Sequence, residues 1–447
     1  MLAALRLRWR SLARGFWFVP SSVALLFVAL AFALLEADEA AGERGADFAF
    51  GGDAEAARQI LAIIAASLIT VAGVSFSITI VTLQLVSSQY TPRALRTFLK
   101  DRTTQVTAGV FVGVFLYCLT VLRAIRDDSR ETAAFVPSLG VTAGIVLAAA
   151  GLALLLLFIH HMGESIKVST IVARIGRDTL RAIDELYPDR YDGRGEDADA
   201  APTEEPQRDG EPALVRAARA GYVQAIDAGS LARALPDGAC VELKIRAGDF
   251  TTKGTPIAAI WPAGAVGDRV RLTAEHAVRL DDDRDIAQDV AYGVRQLADI
   301  ALRAISPGVN DPTTAINCVR YLQAAVAVLA GRSLTNDARA VDAGTVLLAP
   351  VRPFASYVEQ AFLELGRYAT RDARVAIALL DALAAVAESA REAGADERVD
   401  VVVEVADAVA GPALDDARTD YDRALIEEHA DRVRRPVAPS ERAPGSA

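Results

Sequence analysis

The stretch QILAIIAASLITVAGVSFSITIVTLQLV, residues 59–86, decides the fold class of this chain. It contains no charged residue, and about 20 helical residues are enough to cross the hydrocarbon of a bilayer. Three further apolar stretches of this kind lie at 17–35, 103–122 and 133–159. The sequence therefore predicts an α-helical integral membrane protein with four transmembrane helices.

The charges that flank these stretches predict their orientation, because cytoplasmic loops are enriched in Lys and Arg. Residues 1–16 carry four Arg, and basic residues also dominate 87–102 and the short segment 163–181 that follows the fourth stretch. The loop 36–58 is acidic, with seven Asp and Glu against two Arg, and the short third loop is ambiguous. We expect a multi-pass protein of a bacterial inner (plasma) membrane with both termini in the cytoplasm.

The basic N-terminus followed by an apolar run also suits a signal peptide. The apolar run is long for a signal peptide, and no A-x-A cleavage pattern stands directly behind it. A retained first span is the preferred interpretation.

Charge separates the membrane part from the rest of the chain. Residues 1–162 carry 13 Lys and Arg against 11 Asp and Glu, whereas the remaining residues carry 34 against 47. An acidic soluble part argues against nucleic-acid binding, which requires a basic surface. The predicted segments are a basic cytosolic N-terminus (1–16), a four-span domain (17–162), a juxtamembrane helix (163–186), an acidic disordered linker (187–213), a small β-rich subdomain (214–282), a helical cytosolic subdomain (283–434) and a disordered tail (435–447).

The segment 214–282 predicts a small β barrel or sandwich. Strand patterns occur at 222–226, 241–245 and 256–261, with a turn-rich stretch at 247–256. That stretch resembles the barrel turn of biotinyl and lipoyl domains, but no lysine stands in the hairpin context that carries a prosthetic group. A packing or interaction role is preferred to a swinging-arm carrier, and no cofactor is expected. The following helical subdomain is expected to complete a cytosolic α+β part as a helical bundle.

Polar residues distinguish the second apolar stretch from the other three. Ser67, Thr70, Ser77, Gln84 and Ser88 recur at three, seven, seven and four residues, which keeps them near one helical face. They are candidate pore-lining residues, and a pore built from four spans per chain would require a homo-oligomer. Alternatively, small hydroxyl residues and Gly73 allow close helix packing. Ser75, Thr79 and Thr82 are also polar, and Gln84 is the side chain hardest to leave facing lipid.

The segment 305–315 predicts a corner between two helices. Asp311 suits an N-cap and Pro312 suits the first helical position. On the preceding helix, Asp299 and Arg303 are spaced to form an ion pair. The alternative is a polar pocket for an anion, ligand or partner. Its candidate residues are Arg295, Asp299, Arg303, Asn310 and Asp311.

Catalytic and metal-binding signals are weak. His160 and Glu164 share a helical face and could bind a metal, which keeps a membrane metalloenzyme as a minor alternative. Three cysteines stand far apart, and no nucleophile elbow, P-loop, dinucleotide fingerprint or HExxH motif is present. We expect no enzyme, no catalytic residue and no bound metal.

Four stretches together resemble one family. They are SITIVTLQLVSSQYTPR at 77–93, FIHH at 158–161, GYVQAID at 221–227 and RQLADIALRAISPGVNDP at 295–312. They are similar to the bacterial membrane proteins grouped as domain of unknown function 2254. The resemblance covers nearly the whole chain and implies a membrane protein, but it implies no activity, cofactor or catalytic residue.

Two functions follow as expectations. The first is an oligomeric channel or transport-like protein whose cytosolic domain regulates it. The second is a membrane-anchored sensor or scaffold whose cytosolic domain binds a ligand or partner. The lipid bilayer is the expected partner in both, and the identity of any small ligand or ion stays open.

Overall fold

A computed structural model describes most of the chain and divides it into two compact units, 1–170 and 171–447. The predicted basic N-terminus (1–16), most of the acidic linker and the tail beyond residue 435 lie outside the described residues. The described residues are 17–41, 50–89, 101–126, 135–165, 167–187, 190–191, 208, 210–235, 238–334, 339–341, 345–369 and 372–435.

Four long helices build the first unit: α1 Phe18–Ala41, α2 Ala54–Gln89, α3 Arg102–Ala124 and α4 Ser138–Ser165. Each contains one of the four predicted apolar stretches or most of it. The central turns of each helix are largely apolar. Pro20 stands in the first turn of α1, where its missing N–H removes no helical hydrogen bond. With 36 residues, α2 is the longest of the four and measures about 54 Å at 1.5 Å per residue.

Two layers of neighbouring residues align α2, α3 and α4, with one residue from each helix in each layer. The layers consist of Leu61, Tyr117 and Gly144, and of Leu68, Phe111 and Gly151. From the first layer to the second, residue numbers rise by seven on α2 and α4 and fall by six on α3. Thus α2 and α4 run in the same direction and α3 runs against them.

The helix α1 packs on the opposite face of α3 through two glycines. A Cβ added to Gly109 would lie 2.8 Å from Val23 Cβ and 2.9 Å from the Pro20 carbonyl oxygen. One added to Gly113 would lie 2.6 Å from a ring carbon of Phe27. At the other end of α1, the carboxylate of Asp38 accepts hydrogen bonds from the first backbone N–H groups of α4, at 2.9 Å. Successive helices of this unit therefore alternate in direction.

The second unit contains two β-sheets. The five-stranded sheet has the order β1-β5-β3-β8-β7 and the three-stranded sheet the order β4-β2-β6, and every pairing is antiparallel except β3 with β8. The strands are β1 Ala213–Arg216, β2 Gly221–Ile226, β3 Cys240–Leu243, β4 Phe250–Thr251, β5 Pro256–Trp261, β6 Val278–Asp281, β7 Arg339–Val341 and β8 Thr345–Leu348.

The two sheets share one hydrophobic core, which includes Val215, Val223, Val241 and Ile260. The three strand predictions at 222–226, 241–245 and 256–261 match β2, β3 and β5 closely. The structure adds β7 and β8, which come from the segment predicted to be helical. Their contribution could not be seen in the sequence, because β8 joins β3 across about a hundred residues of chain.

Helices form the rest of the second unit, and α9 packs against α8 and α12. A π-helical turn, Glu359–Leu363, separates α10 from α11, and short 3₁₀ turns occur at Ala263–Ala265 and Ile286–Gln288. The helices are α5 Val168–Leu186, α6 Ala228–Arg233, α7 Asp268–Ala277, α8 Val290–Ala304, α9 Pro312–Ala330, α10 Phe354–Val358, α11 Glu364–Ala369, α12 Ala373–Glu392, α13 Asp396–Asp415 and α14 Asp420–Arg434.

Five helices within the described part of the chain are long and apolar enough to cross a membrane, where the sequence predicted four spans. Four of them are α1 to α4, and their outward side chains include Leu25, Ile63, Val112 and Leu152. The fifth is α9, inside the second unit. Length and composition alone therefore leave the number of spans open.

Candidate functional site

The predicted polar stripe of α2 faces away from the first unit. Ser67, Thr70, Ser77 and Gln84 are all exposed, and the side chain of Ser88 lies outside the described residues. The hydroxyl of Thr70 donates a hydrogen bond to the carbonyl of residue 66, at 2.9 Å. The sequence thus placed these residues on one helical face correctly, and the structure shows that this face is the outer one.

A different set of polar residues faces the interior of the first unit. Spacings of seven, four and three residues bring Ser75, Thr79 and Thr82 onto the buried face of α2, together with Leu68. The first turns of α3 contribute further buried polar residues, which no sequence pattern distinguishes. These are Asp101, Thr104, Gln105 and Thr107.

Asp101 and His161 form a pair between the beginning of α3 and the end of α4. One carboxylate oxygen of Asp101 caps α3 by accepting from the Thr103 backbone N–H, at 3.0 Å. The other lies 2.5 Å from Nε2 of His161, and the hydroxyl of Ser165 is 3.4 Å from the same nitrogen. The Asp101 side chain is 7 % exposed, so this carboxylate is held almost entirely by protein groups. A negative charge at a helix N-terminus is also stabilised by the helix dipole.

His160 and Glu164, the pair that the sequence offered as a minor metal-binding alternative, lie in the last turns of α4. The Glu164 carboxylate forms an ion pair with Lys167. Within the described ranges, no group of three or more His, Cys, Asp or Glu side chains is arranged to hold a metal ion.

The predicted corner at 305–315 is a capped helix start. Asp311 accepts from the Thr314 backbone N–H at 3.0 Å and from its hydroxyl at 2.6 Å, and Pro312 is the first residue of α9. These hydrogen bonds from Thr314 lower the pKa of Asp311. Asn310, which is exposed, adopts a left-handed backbone conformation with φ of 51°. The prediction of an N-cap is confirmed.

The other residues of the predicted ligand pocket lie elsewhere on α8. Arg295 forms ion pairs of 2.6 Å with Asp299 and with Glu364 of α11. This position is nine residues before the end of α8, or about 14 Å along the helix at 1.5 Å per residue. Asp299 thus forms an ion pair with Arg295, and its pairing with the exposed Arg303 stays a prediction. The five predicted residues do not converge on one pocket.

A buried polar group that sequence reasoning missed lies at the start of α8. Asp289 caps α8 by accepting from the Tyr292 backbone N–H at 3.1 Å and pairs with Arg284 at 2.7 Å. The hydroxyls of Tyr187 and Tyr357 are 3.2 Å apart and interact electrostatically with Asp289. Burial raises the pKa of Asp289 and of both tyrosines. The residues of this group come from three distant segments of the chain, so no local sequence motif predicts it.

Comparison with known proteins places these features in a family. The sequence profile of a family described as "Predicted membrane protein (DUF2254)" matches residues 13–385. An uncharacterized protein of Mycobacterium tuberculosis (strain H37Rv) and one of Mycobacterium bovis are each 36% identical to this chain over 346 residues. These matches cover 76% of this chain and 65% of each relative, so the chain spans slightly less than two thirds of their length. No solved structure matches.

Proposed function

Because the chain belongs to the family of predicted membrane proteins grouped as domain of unknown function 2254, we propose that it forms a homo-oligomeric ion channel or transport path in a bacterial inner membrane. The second unit is proposed to be cytosolic and to regulate that path. The proposal is motivated by one observation: the exposed face of α2 carries hydroxyl residues in its central turns, whereas the outer faces of α1, α3 and α4 are apolar in theirs.

We propose that α1 to α4 cross the membrane and that α9 does not. The outward residues of α1 to α4 are largely aliphatic, as hydrocarbon requires. By contrast, Arg320 is exposed on α9, whose apolar face packs against other helices of the second unit. The alternating helix directions and the basic segments at 1–16 and 87–102 favour cytoplasmic termini.

The best candidates for lining the proposed path are Ser67, Thr70 and Ser77, ahead of Gln84. Leu83, next to Gln84, packs against a pair of α4 residues that includes Met162, close to the end of that helix. Since α2 is about 24 Å longer than a hydrocarbon layer of about 30 Å, its last turns need not lie in lipid. The hydroxyls nearer the middle of α2 find no water in hydrocarbon, so facing copies around an aqueous path would suit them better.

Ion flux through the purified chain in sealed liposomes tests this function. We expect selective flux that falls at least tenfold in Ser67→Leu, because a bulky apolar side chain would narrow and dehydrate the path. Ala149→Leu is the matched control, since residue 149 is exposed on α4 at a similar depth. Tight liposomes under every salt, or equal flux in both variants, would contradict a path lined by α2.

A membrane-anchored sensor is the second candidate, and the group around Asp289 favours it. Tyr187, Tyr357 and Asp289 combine burial with nearby arginines, including Arg246 and Arg352, which suits a small anionic ligand. The adjoining π-helical turn, Glu359–Leu363, is of a kind often found at functional sites. A phosphate-bearing compound that raises the melting temperature of the wild type, but not of Tyr357→Phe, would support this role.

A further inference from the structure

Three buried hydroxyls in the first unit have no hydrogen-bond partner within the described part of the chain. They are the side chains of Ser75 on α2 and of Thr104 and Thr107 on α3. The three residues are 6 %, 4 % and 1 % exposed. Buried polar atoms in native proteins are almost always satisfied by protein, water or an ion. Three such hydroxyls in one helix bundle therefore indicate a missing occupant.

The layers that align α2, α3 and α4 bring these hydroxyls together. A further step of seven residues from the layer of Leu68 and Phe111 leads to Ser75 on α2 and Thr104 on α3. Thr107 lies one turn before Phe111, on the face of α3 that contains Val114 and Cys118 of the same core. Backbone geometry thus directs all three hydroxyls into the space between α2, α3 and α4.

The space is apolar on one side and charged on the other. Beyond the hydroxyls, the layers of Phe111 with Leu68 and of Tyr117 with Leu61 fill the interior with large side chains. In the opposite direction, one turn before Thr104, stands the carboxylate of Asp101 with its partner His161. Asp101 and His161 therefore stand on the side of the hydroxyls that leads to the N-terminus of α3.

We propose that Ser75, Thr104 and Thr107 line a water-filled pocket that admits a monovalent cation, with Asp101 at its mouth as the negative charge. Hydroxyl and carboxylate oxygens are hard ligands that suit alkali cations and water rather than soft metals. The Asp101 carboxylate, which also accepts from the Thr103 backbone N–H and contacts His161, is the negative charge nearest to these hydroxyls among the described residues. The pocket lies within one chain, so it does not depend on the proposed oligomeric path along the outer face of α2.

Silver ion, a thiol-reactive monovalent cation, is the probe for this pocket. Thr104→Cys and, separately, Ser75→Cys would be prepared in the full-length protein in liposomes, in nitrate salts. Blocking of each thiol against later alkylation is then read by mass spectrometry of the digest. Native Cys118 is the internal control, because it is buried on the same face of α3 behind the apolar layers. Val112→Cys, exposed on the outer face of α3, controls for access through lipid.

We expect silver to block the cysteines at 104 and 75 at least tenfold faster than Cys118 or the cysteine at 112, and sodium or potassium nitrate to slow the reaction. Rates equal to that of Cys118 would show a dry interior and overturn the proposal. Fast blocking that no alkali nitrate slows would show water alone and overturn the cation assignment.

Thr104→Val provides a second measurement that does not depend on cysteine chemistry. In a dry interior, removing an unpartnered hydroxyl raises the melting temperature. In a hydrated pocket it lowers the melting temperature, because the water or ion loses a ligand. A higher melting temperature for Thr104→Val would therefore overturn the proposal, whatever the flux experiments show.

Discussion

The helices α3 and α9 belong to different units, yet both are apolar, long enough to cross a membrane and capped by an aspartate. Asp101 caps α3 and Asp311 caps α9, each at 3.0 Å from a backbone N–H of the first turn. They differ in the residues that face outward. The outer side of α3 shows Val106, Val112 and Leu119, whereas α9 shows Arg320.

The difference teaches that apolar content does not separate a membrane span from a core helix. Both kinds of helix bury aliphatic side chains, so their composition converges. Whether such a helix is a membrane span or a core helix depends on what surrounds its least buried face, because hydrocarbon excludes charged side chains and water does not. The C-termini differ as well. The last carbonyls of α9 accept hydrogen bonds from the buried Arg398, at 3.2 and 3.0 Å.

The largest effect is expected from removing the positively charged side chain of Arg398, which donates hydrogen bonds to the C-terminal carbonyls of α9. The guanidinium of Arg398 donates to the carbonyls of Leu329, Ala330 and Arg332 and lies over the rings of Tyr191 and Phe354. Hydrogen bonds to a charged group are worth about 1.5–3 kcal/mol, so Arg398→Met should lower the free energy of unfolding by about 3 kcal/mol or more. Chemical denaturation of the full-length protein measures this loss.

Arg320→Met is the control for Arg398→Met, because it removes the same charge from the exposed side of α9. We expect a change within about 0.5 kcal/mol. Equal losses of unfolding free energy in the two variants would mean that the hydrogen bonds from Arg398 do not stabilise the C-terminus of α9. The difference drawn between the surroundings of α9 and those of α3 would then lose this support.

Next in size is the cost of a charge on the outer face of a proposed span. Leu152 is 62% exposed and stands in the middle of α4. If this face meets lipid, Leu152→Arg should disfavour membrane insertion by about 2.5–3.5 kcal/mol, the range for Arg at the centre of a span. The fraction of chains integrated into membranes, measured after alkaline extraction, reports this cost. Unchanged integration would place residue 152 away from lipid.

The smallest effect is expected at the shared cap. Asp311→Ala should lower the free energy of unfolding by about 1 kcal/mol, the usual value of an N-cap. Because the folded state lowers the pKa of Asp311, this contribution is fully present above about pH 3.9, and it decreases as the pH falls through the folded value. Denaturation of wild type and variant at pH 7 and pH 3 measures both quantities.

Asp101→Ala sharpens this comparison, because Asp101 also holds His161. A loss larger than that of Asp311→Ala at pH 7 is expected, since the half-buried imidazole loses its partner in addition to the lost cap. Equal losses of unfolding free energy in Asp101→Ala and Asp311→Ala would mean that Asp101 stabilises the fold only as the N-cap of α3.

The sequence predicted the long helices well, because length and apolar content are local properties. It also predicted the N-cap of α9 and the strands β2, β3 and β5 from short patterns. Periodicity placed Ser67, Thr70 and Ser77 on one face, but a single helix cannot show which face its neighbours cover. Only the packing of α2 against α3 and α4 shows that Ser75, Thr79 and Thr82 are the inner set.

Contacts between distant segments account for the rest. The pair of Asp101 and His161 joins residues sixty apart, and the hydroxyls of Tyr187 and Tyr357 are 170 apart. The sequence suggested Arg303 as a partner of Asp299, and the structure adds Arg295, since an i,i+4 spacing is available in both directions. These arrangements depend on how helices dock, which no short window of sequence contains.

The two glycines that join α1 to α3 also have a consequence for biosynthesis. The contact surface of α1 on α3 does not exist until residues 109 and 113 have been made. A ribosome adds about 5–20 residues per second, so α1 would wait several seconds for its neighbour. The surface of α1 is largely apolar, and the hydroxyl of Ser22 donates a hydrogen bond to its own helix at 2.8 Å. Both features suit a helix that has no packing partner until α3 has been synthesised.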